Sequence, residues 1–124
     1  MPIVLIVDDN EKNRKLAGSV LSAAGFLTIE AATGAEALAL TLEHVPDVVL
    51  MDLRLPDIDG AEAARRLGDD EKTAEIPVVA LTALSLEGND DWLQAAGFAG
   101  WLGKPIHVAT FAEQVRKYCS DATR

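Results

Sequence analysis

The apolar residues of this chain switch repeatedly between two spacings, and that alternation limits the available folds more than any other feature. Ile3-Val4-Leu5-Ile6-Val7 is an unbroken, mostly β-branched run. Such a run reads as a strand buried on both faces. Val48-Val49-Leu50-Met51 and Val78-Val79-Ala80-Leu81 repeat it, Leu27-Thr28-Ile29-Glu30 is a shorter alternating candidate, and Trp101-Leu102 between two glycines is a weaker fifth. Helical spacing fills the intervals. Leu16, Val20, Leu21 and Ala24 share a face, and Gly25-Phe26 supplies the ending of a Schellman motif with Phe26 against Leu21. Thr33-Gly-Ala-Glu36 has the form of a capping box and opens a helix expected to carry Ala35, Leu38 and Leu42 inward. Asp59-Gly-Ala-Glu62 offers a similar start to a helix through Leu67, with Gly68 as its end. A fourth helix is expected after Ser85, with Leu86, Leu93 and Ala96. A fifth carries Val108, Phe111, Ala112, Val115 and Cys119 on one face. Five strand-helix units with buried strands predict an α/β fold, a parallel five-stranded sheet with helices on both faces.

A chain of 124 residues is about one domain, and it can bury roughly two-thirds of its unfolded surface without staples. One domain over residues 1–124, with no output domain after the fifth helix, is the expectation. Eleven basic residues against 20 acidic ones leave a formal net charge of −9, which argues against a nucleic-acid or anionic-membrane partner. No apolar run approaches a membrane span, and Met1-Pro2-Ile3 has neither the basic lead nor the cleavage site of a secretory signal. The lone Cys119 can form no internal disulfide, so a reducing, cytoplasmic setting is expected.

In open parallel sheets, ligands bind beyond the carboxyl ends of the strands. Asp8 and Asp9 follow the first apolar run, Asp52 the third, Thr82 and Ala83 the fourth, and Lys104-Pro105 the fifth. Three carboxylates at one edge repel one another and require a cation. An exposed oxygen site with few protein ligands favours Mg²⁺. Mg²⁺ commonly works beside phosphate, for which a lysine supplies a point charge and a threonine one hydrogen bond. A carboxylate can itself be the nucleophile and form an aspartyl phosphate. Asp52, alone at the end of the central strand, is the best placed. Taken singly, each of these residues has a plainer reading: a strand-end cap, a turn former, a surface lysine. Their joint placement carries the argument.

Val7-Asp8-Asp9-Asn10, Met51-Asp52-Leu53-Arg54-Leu55-Pro56, Asp59-Gly60, Leu81-Thr82-Ala83 and Lys104-Pro105 together resemble the signature of the receiver domain of two-component response regulators. The resemblance runs from Ile3 to Tyr118, and its five motifs fall in the family's order. It implies a CheY-like, flavodoxin-like sheet in the order 2-1-3-4-5. It implies Asp52 as phosphoacceptor and a Mg²⁺ held by Asp9, Asp52 and the backbone carbonyl of Arg54, with Asp8 acting through a metal-bound water. Thr82 matches the switch hydroxyl, Lys104 the phosphoryl-binding lysine, and Trp101 the switch aromatic. Lys104-Pro105 matches a cis peptide, for which an X-Pro bond is the cheap case. The small Ala83 leaves room for the phosphoryl group.

The implied donor is the phosphohistidine of a histidine kinase or histidine phosphotransferase. The implied output is a population shift read by a downstream protein at the fourth helix, fifth strand and fifth helix, as a monomer or as a phosphorylation-dependent dimer. A stand-alone regulator of the DivK-like or chemotaxis-like kind is preferred. An aspartyl-nucleophile phosphatase would need an acid two residues after Asp52, where Arg54 stands, and a phosphorylation-independent scaffold would not need the full acidic set. Trp101 is larger than the family's Tyr or Phe, which puts full inward rotation in question; Gly100 and Gly103 predict a soft fifth strand. Gly88 and Asn89 weaken the fourth helix. Trp92 fits either an inward position beside Ala96 or an exposed partner contact. Arg54 and Leu84, each two residues past a site residue, predict an acyl phosphate of moderate to long life. His44 and His107 read as surface or capping residues.

Overall fold

A computed structural model describes residues 2–83, 91–104 and 106–122, with side chains as far as Cys119. Its elements alternate as expected: β1 (Ile3–Val7), α1 (Glu11–Ala23), β2 (Leu27–Ala31), α2 (Gly34–His44), β3 (Val48–Asp52), α3 (Gly60–Asp69), β4 (Val78–Thr82), α4 (Asp91–Ala95), β5 (Gly100–Gly103) and α5 (Val108–Ala122). The strands form one parallel sheet in the order β2-β1-β3-β4-β5. The expectations attached to Leu84, Leu86, Gly88, Asn89 and Pro105, the cis peptide included, lie outside the described residues.

Strand alternation sorts the core into two layers. Val4, Ile6, Val48, Leu50, Val79 and Leu81 pack against α1 and α5 through Ala17, Leu21, Phe111, Val115 and Cys119. Leu5, Val7, Val49, Met51, Val78 and Ala80 pack on the other face against Ala37, Ala63, Leu67 and Leu93 of α2, α3 and α4. The central strands β3 and β4 are buried throughout. Fully burying one such aliphatic side chain is worth about 1.5–3 kcal/mol, so this double layer carries most of the stability.

Local endings follow the chemistry of the sequence. At the end of α1, Gly25 takes φ 96°, its N–H bonds Ser22 O at 3.1 Å, and Phe26 N–H bonds Leu21 O at 3.0 Å. This is the expected Schellman motif, and Gly97-Phe98 repeats it after α4 with Gln94 and Leu93. Thr33 accepts from Glu36 N–H at 3.1 Å, while Glu36 reaches back to Ala32 N–H at 2.8 Å, one residue before the reciprocal position.

Four expectations require correction. In α2 the buried face is Gly34, Ala37 and Thr41, and Ala35 and Leu42 face solvent. The Asp59 cap bonds Ala61 N–H at 2.8 Å, but Glu62 closes no box because Arg65 and Arg66 draw its carboxylate away. Gly68 does not end α3, which runs on to Asp69. Leu16 and Val108 keep their helical register yet lie at exposed edges of their faces.

Candidate functional site

The parallel register brings the carboxyl ends of β1, β3, β4 and β5 to one edge. There Asp8, Asp9, Asp52, Arg54, Thr82, Ala83 and Lys104 line a cleft of about 430 Å³. Asp52 and Thr82 are the last residues of their strands, and Asp8 and Lys104 directly follow theirs. Thus all five chemistry-bearing residues expected from the sequence meet in one place. Asn10 and Asn13 line the same cleft. Asn10 also caps α1, accepting from Asn13 N–H at 3.1 Å, so that role falls to the asparagine and leaves Asp9 free for the cleft.

Lys104 is the electrostatic centre. Its Nζ donates to Asp8 Oδ2 at 2.8 Å and to Asp52 Oδ2 at 2.9 Å. Its backbone N–H donates to Thr82 O at 2.8 Å, which fixes the lysine stem to the end of β4. Burial works against the ammonium charge, but the hydrogen bonds and charges of Asp8 and Asp52 outweigh it and hold the lysine pKa above its ordinary value. The remaining oxygens are also engaged. Asp8 Oδ1 accepts from Asn10 N–H at 2.9 Å, and Asp52 Oδ1 from Arg54 N–H at 3.0 Å. Arg14 was not singled out in the sequence. It donates from Nη1 to the Asp8 carbonyl at 2.8 Å and pairs through Nε with Glu30 at 3.2 Å, so α1, β1 and β2 are tied behind the acidic pair.

One carboxylate oxygen from each of Asp8, Asp9 and Asp52 lies within 4.8 Å of the others. Asp8 is buried, Asp52 nearly so, and Asp9 is exposed. Three convergent hard oxygen donors open to solvent suit a small divalent cation that keeps part of its water shell. The donor set therefore fits the expected Mg²⁺. Thr82 is buried at the rim and Ala83 beside it is exposed. Trp101 is half-buried and packs on the α2–α4 side of the core, whereas Trp92 is exposed on α4 and does not take the inward position.

The loop from β3 into α3 frames the site. Arg54 and Asp59 form an antiparallel bridge, and Gly60 N–H donates to Leu53 O at 3.0 Å. Only a residue without Cβ fits at position 60, because a Cβ there would collide with the Asp52 carbonyl oxygen and lie 2.8 Å from Leu53 Cα.

A buried doubly wound sheet with this acidic, lysine-bridged cleft defines a class, and comparison with known proteins agrees: residues 4–116 match the response regulator receiver domain, and the chain belongs to that family of two-component systems. Among curated relatives it is 42% identical over 119 residues to the polar-differentiation response regulator DivK of Brucella ovis, spanning 96% of this chain and 97% of the relative, and 41% identical over 119 residues to DivK of Brucella anthropi. Among solved structures, the chemotaxis protein CheY4 of Vibrio cholerae superposes with a TM-score of 0.89 at 29% identity, covering 95% of this chain and 98% of that one. The receiver domain of the Pseudomonas aeruginosa sensor histidine kinase PA1611, described with a magnesium ion coordinated in its active-site cleft, superposes with a TM-score of 0.86 at 29% identity over 96% and 98% of the two chains.

Proposed function

We propose that Asp52 accepts a phosphoryl group from the phosphohistidine of a histidine kinase or histidine phosphotransferase, and that the chain works as a stand-alone, DivK-like receiver in the cytoplasm. The observation that carries this reading is the Lys104 ammonium bridging Asp8 and Asp52 inside the acidic cluster. An Asp52 carboxylate oxygen attacks phosphorus, the phosphorus–nitrogen bond breaks, and the electron pair leaves with the imidazole. The chain's task is to position the group and neutralise its charge. Lys104 would leave its contact with Asp52 to meet a phosphoryl oxygen, and the Thr82 hydroxyl would donate to another. Asp9, Asp52 and the Arg54 carbonyl would hold Mg²⁺, with Asp8 reaching it through water; when bound, the ion offsets phosphoryl charge. The acyl phosphate ends in hydrolysis or in return to another histidine, so this is signalling chemistry and not turnover of a substrate.

Movement of Thr82 toward the phosphoryl group would let Trp101 follow and change the surface of α4, β5 and α5. The exposed indole of Trp92 belongs to that surface, consistent with a protein partner. A phosphorylation-dependent dimer would use the same face. The coverage of the DivK relatives supports the stand-alone reading. Among the described residues no helix is long and apolar enough to cross a membrane. Arg54, which lines the cleft, would slow an attacking water and lengthen the life of the phosphoryl group.

Incubation with acetyl phosphate and Mg²⁺ tests the reading by intact mass. A gain of about 80 Da, the mass of one phosphoryl group replacing a proton, is expected in the native protein and lost in Asp52→Asn. No adduct, or one that survives Asp52→Asn, would overturn it.

A further inference from the structure

We propose that Asp57 is a positioning residue for Asp52 and its metal site, acting by clamping the β3–α3 loop onto the N-terminus of α2. Asp57 lies three residues past Arg54 and touches neither Asp52 nor Lys104. Its two carboxylate oxygens are both committed to α2: Oδ1 accepts from Gly34 N–H at 2.7 Å and Oδ2 from Ala35 N–H at 2.8 Å. Helix α2 already has its own local cap in Thr33, which serves Glu36 N–H. Asp57 thus supplies acceptors for the remaining first-turn N–H groups from a different part of the chain.

A second contact is independent of charge. Gly34 is buried, and the space its missing Cβ would occupy is filled by Ile58, with which that Cβ would collide at Cγ1 and Cδ1. Ile58 therefore sits against a bare helix backbone next to the carboxylate clamp. The loop is held at its base by the Arg54–Asp59 bridge and Gly60, and at its tip by Asp57 and Ile58. Arg54 is one half of the base anchor; its N–H donates to Asp52 Oδ1 at 3.0 Å, and its carbonyl is a metal ligand in the function proposed above, on which this inference rests. Releasing the tip loosens the Arg54 backbone. That costs metal affinity while leaving the nucleophile, the lysine and the hydroxyl in place.

The test measures the rate of phosphorylation by acetyl phosphate against Mg²⁺ concentration, and separates the half-saturating Mg²⁺ from the limiting rate. A group hydrogen-bonded to a metal ligand commonly contributes tenfold or more to metal affinity, and Asp57 acts one step further out through the Arg54 backbone, so Asp57→Ala should raise half-saturating Mg²⁺ about three- to tenfold and leave the limiting rate within about twofold. Gly34→Ala, which displaces Ile58 without altering charge, should move it in the same direction. A cooperative urea transition in EDTA shows that each variant is folded. Should Asp57→Ala unfold, Asp57→Asn keeps one acceptor oxygen and should give an intermediate rise. An unchanged Mg²⁺ dependence in folded Asp57→Ala, or a fall in limiting rate with no Mg²⁺ shift, overturns the clamp while the phosphoacceptor reading stands. Wild-type protein that takes no phosphoryl group at any Mg²⁺ concentration overturns both.

Discussion

Replacing Lys104 with Met keeps the aliphatic stem and removes the charge that holds two carboxylates together. The side chains of Asp8 and Asp52 are 2% and 12% exposed, so little water is available to take over the work of the ammonium. Oxygens of the acidic cluster lie within 4.8 Å of one another, and two unit charges at that spacing repel by about 3.5 kcal/mol at an effective dielectric of ~20. Removing one partner from a buried ion pair costs about 3–5 kcal/mol for the same reason. A loss of about 3 kcal/mol is therefore expected in EDTA at neutral pH, a large share of the ~5–15 kcal/mol available to a domain. In urea this lowers the unfolding midpoint by about 1.5 M for a slope near 2 kcal/mol per M. Mg²⁺ held as in the proposed function should restore much of the loss, because the variant offers an unopposed negative site and gains more from mass action than the wild type. A deficit below about 1 kcal/mol in EDTA, or one that Mg²⁺ leaves unchanged, would refute the claim that Lys104 and the cation serve the same electrostatic demand.

Val45 ends α2 at φ 46°, ψ 64°, a left-handed conformation that strains a β-branched residue, and it is 56% exposed, so little packing depends on it. Val45→Asn should stabilise the protein by about 1 kcal/mol and raise the melting temperature by about 4 °C; a fall would show that the valine side chain matters more than its backbone. Burial pushes the Cys119 thiol up to about 11, aided by the charge of Asp47. A raised folded-state pKa contributes stability in full below the unfolded value and loses it as pH rises toward the folded one. The urea midpoint of the wild type should therefore fall faster than that of Cys119→Ala between about pH 9 and 11, and parallel curves would contradict the assignment.

The sheet and cleft were legible because each rests on a local signal. Short, β-branched unbroken runs such as Ile3–Val7 read as doubly buried strands, and a residue that ends such a run is carried to the sheet edge whatever the loops do. The Gly25-Phe26 ending was legible because its hydrogen bonds close within one turn. Long-range contacts left no such mark. The leucines suggested that α2 turns Leu42 inward, but its seat on the sheet and on Ile58 is tight enough to select Gly34, Ala37 and Thr41. Thr41 is accommodated there because its hydroxyl donates to Ala37 O at 2.6 Å. The motif Asp59-Gly-Ala-Glu62 mimicked a capping box, but the arginines at the local i+3 and i+4 positions take the glutamate instead. Gly100 carried a signal only of a weak strand; that its bare Cα accommodates the Tyr118 ring of α5 was not readable from it. Asp57 was invisible for a similar reason: a cap supplied from another part of the chain has no neighbouring residue to announce it.

Surface loops usually tolerate insertion and deletion. The segment between Asp52 and Gly60 has no such freedom, because its base and tip are fixed to different bodies: the carbonyl end of the central strand and the first turn of a separate helix. An added residue anywhere from Leu53 to Asp59 would put one anchor out of step with the other. The spacing from the nucleophile candidate to its glycine is in effect a ruler: exchanging side chains at fixed length keeps both anchors in step, and changing the length does not.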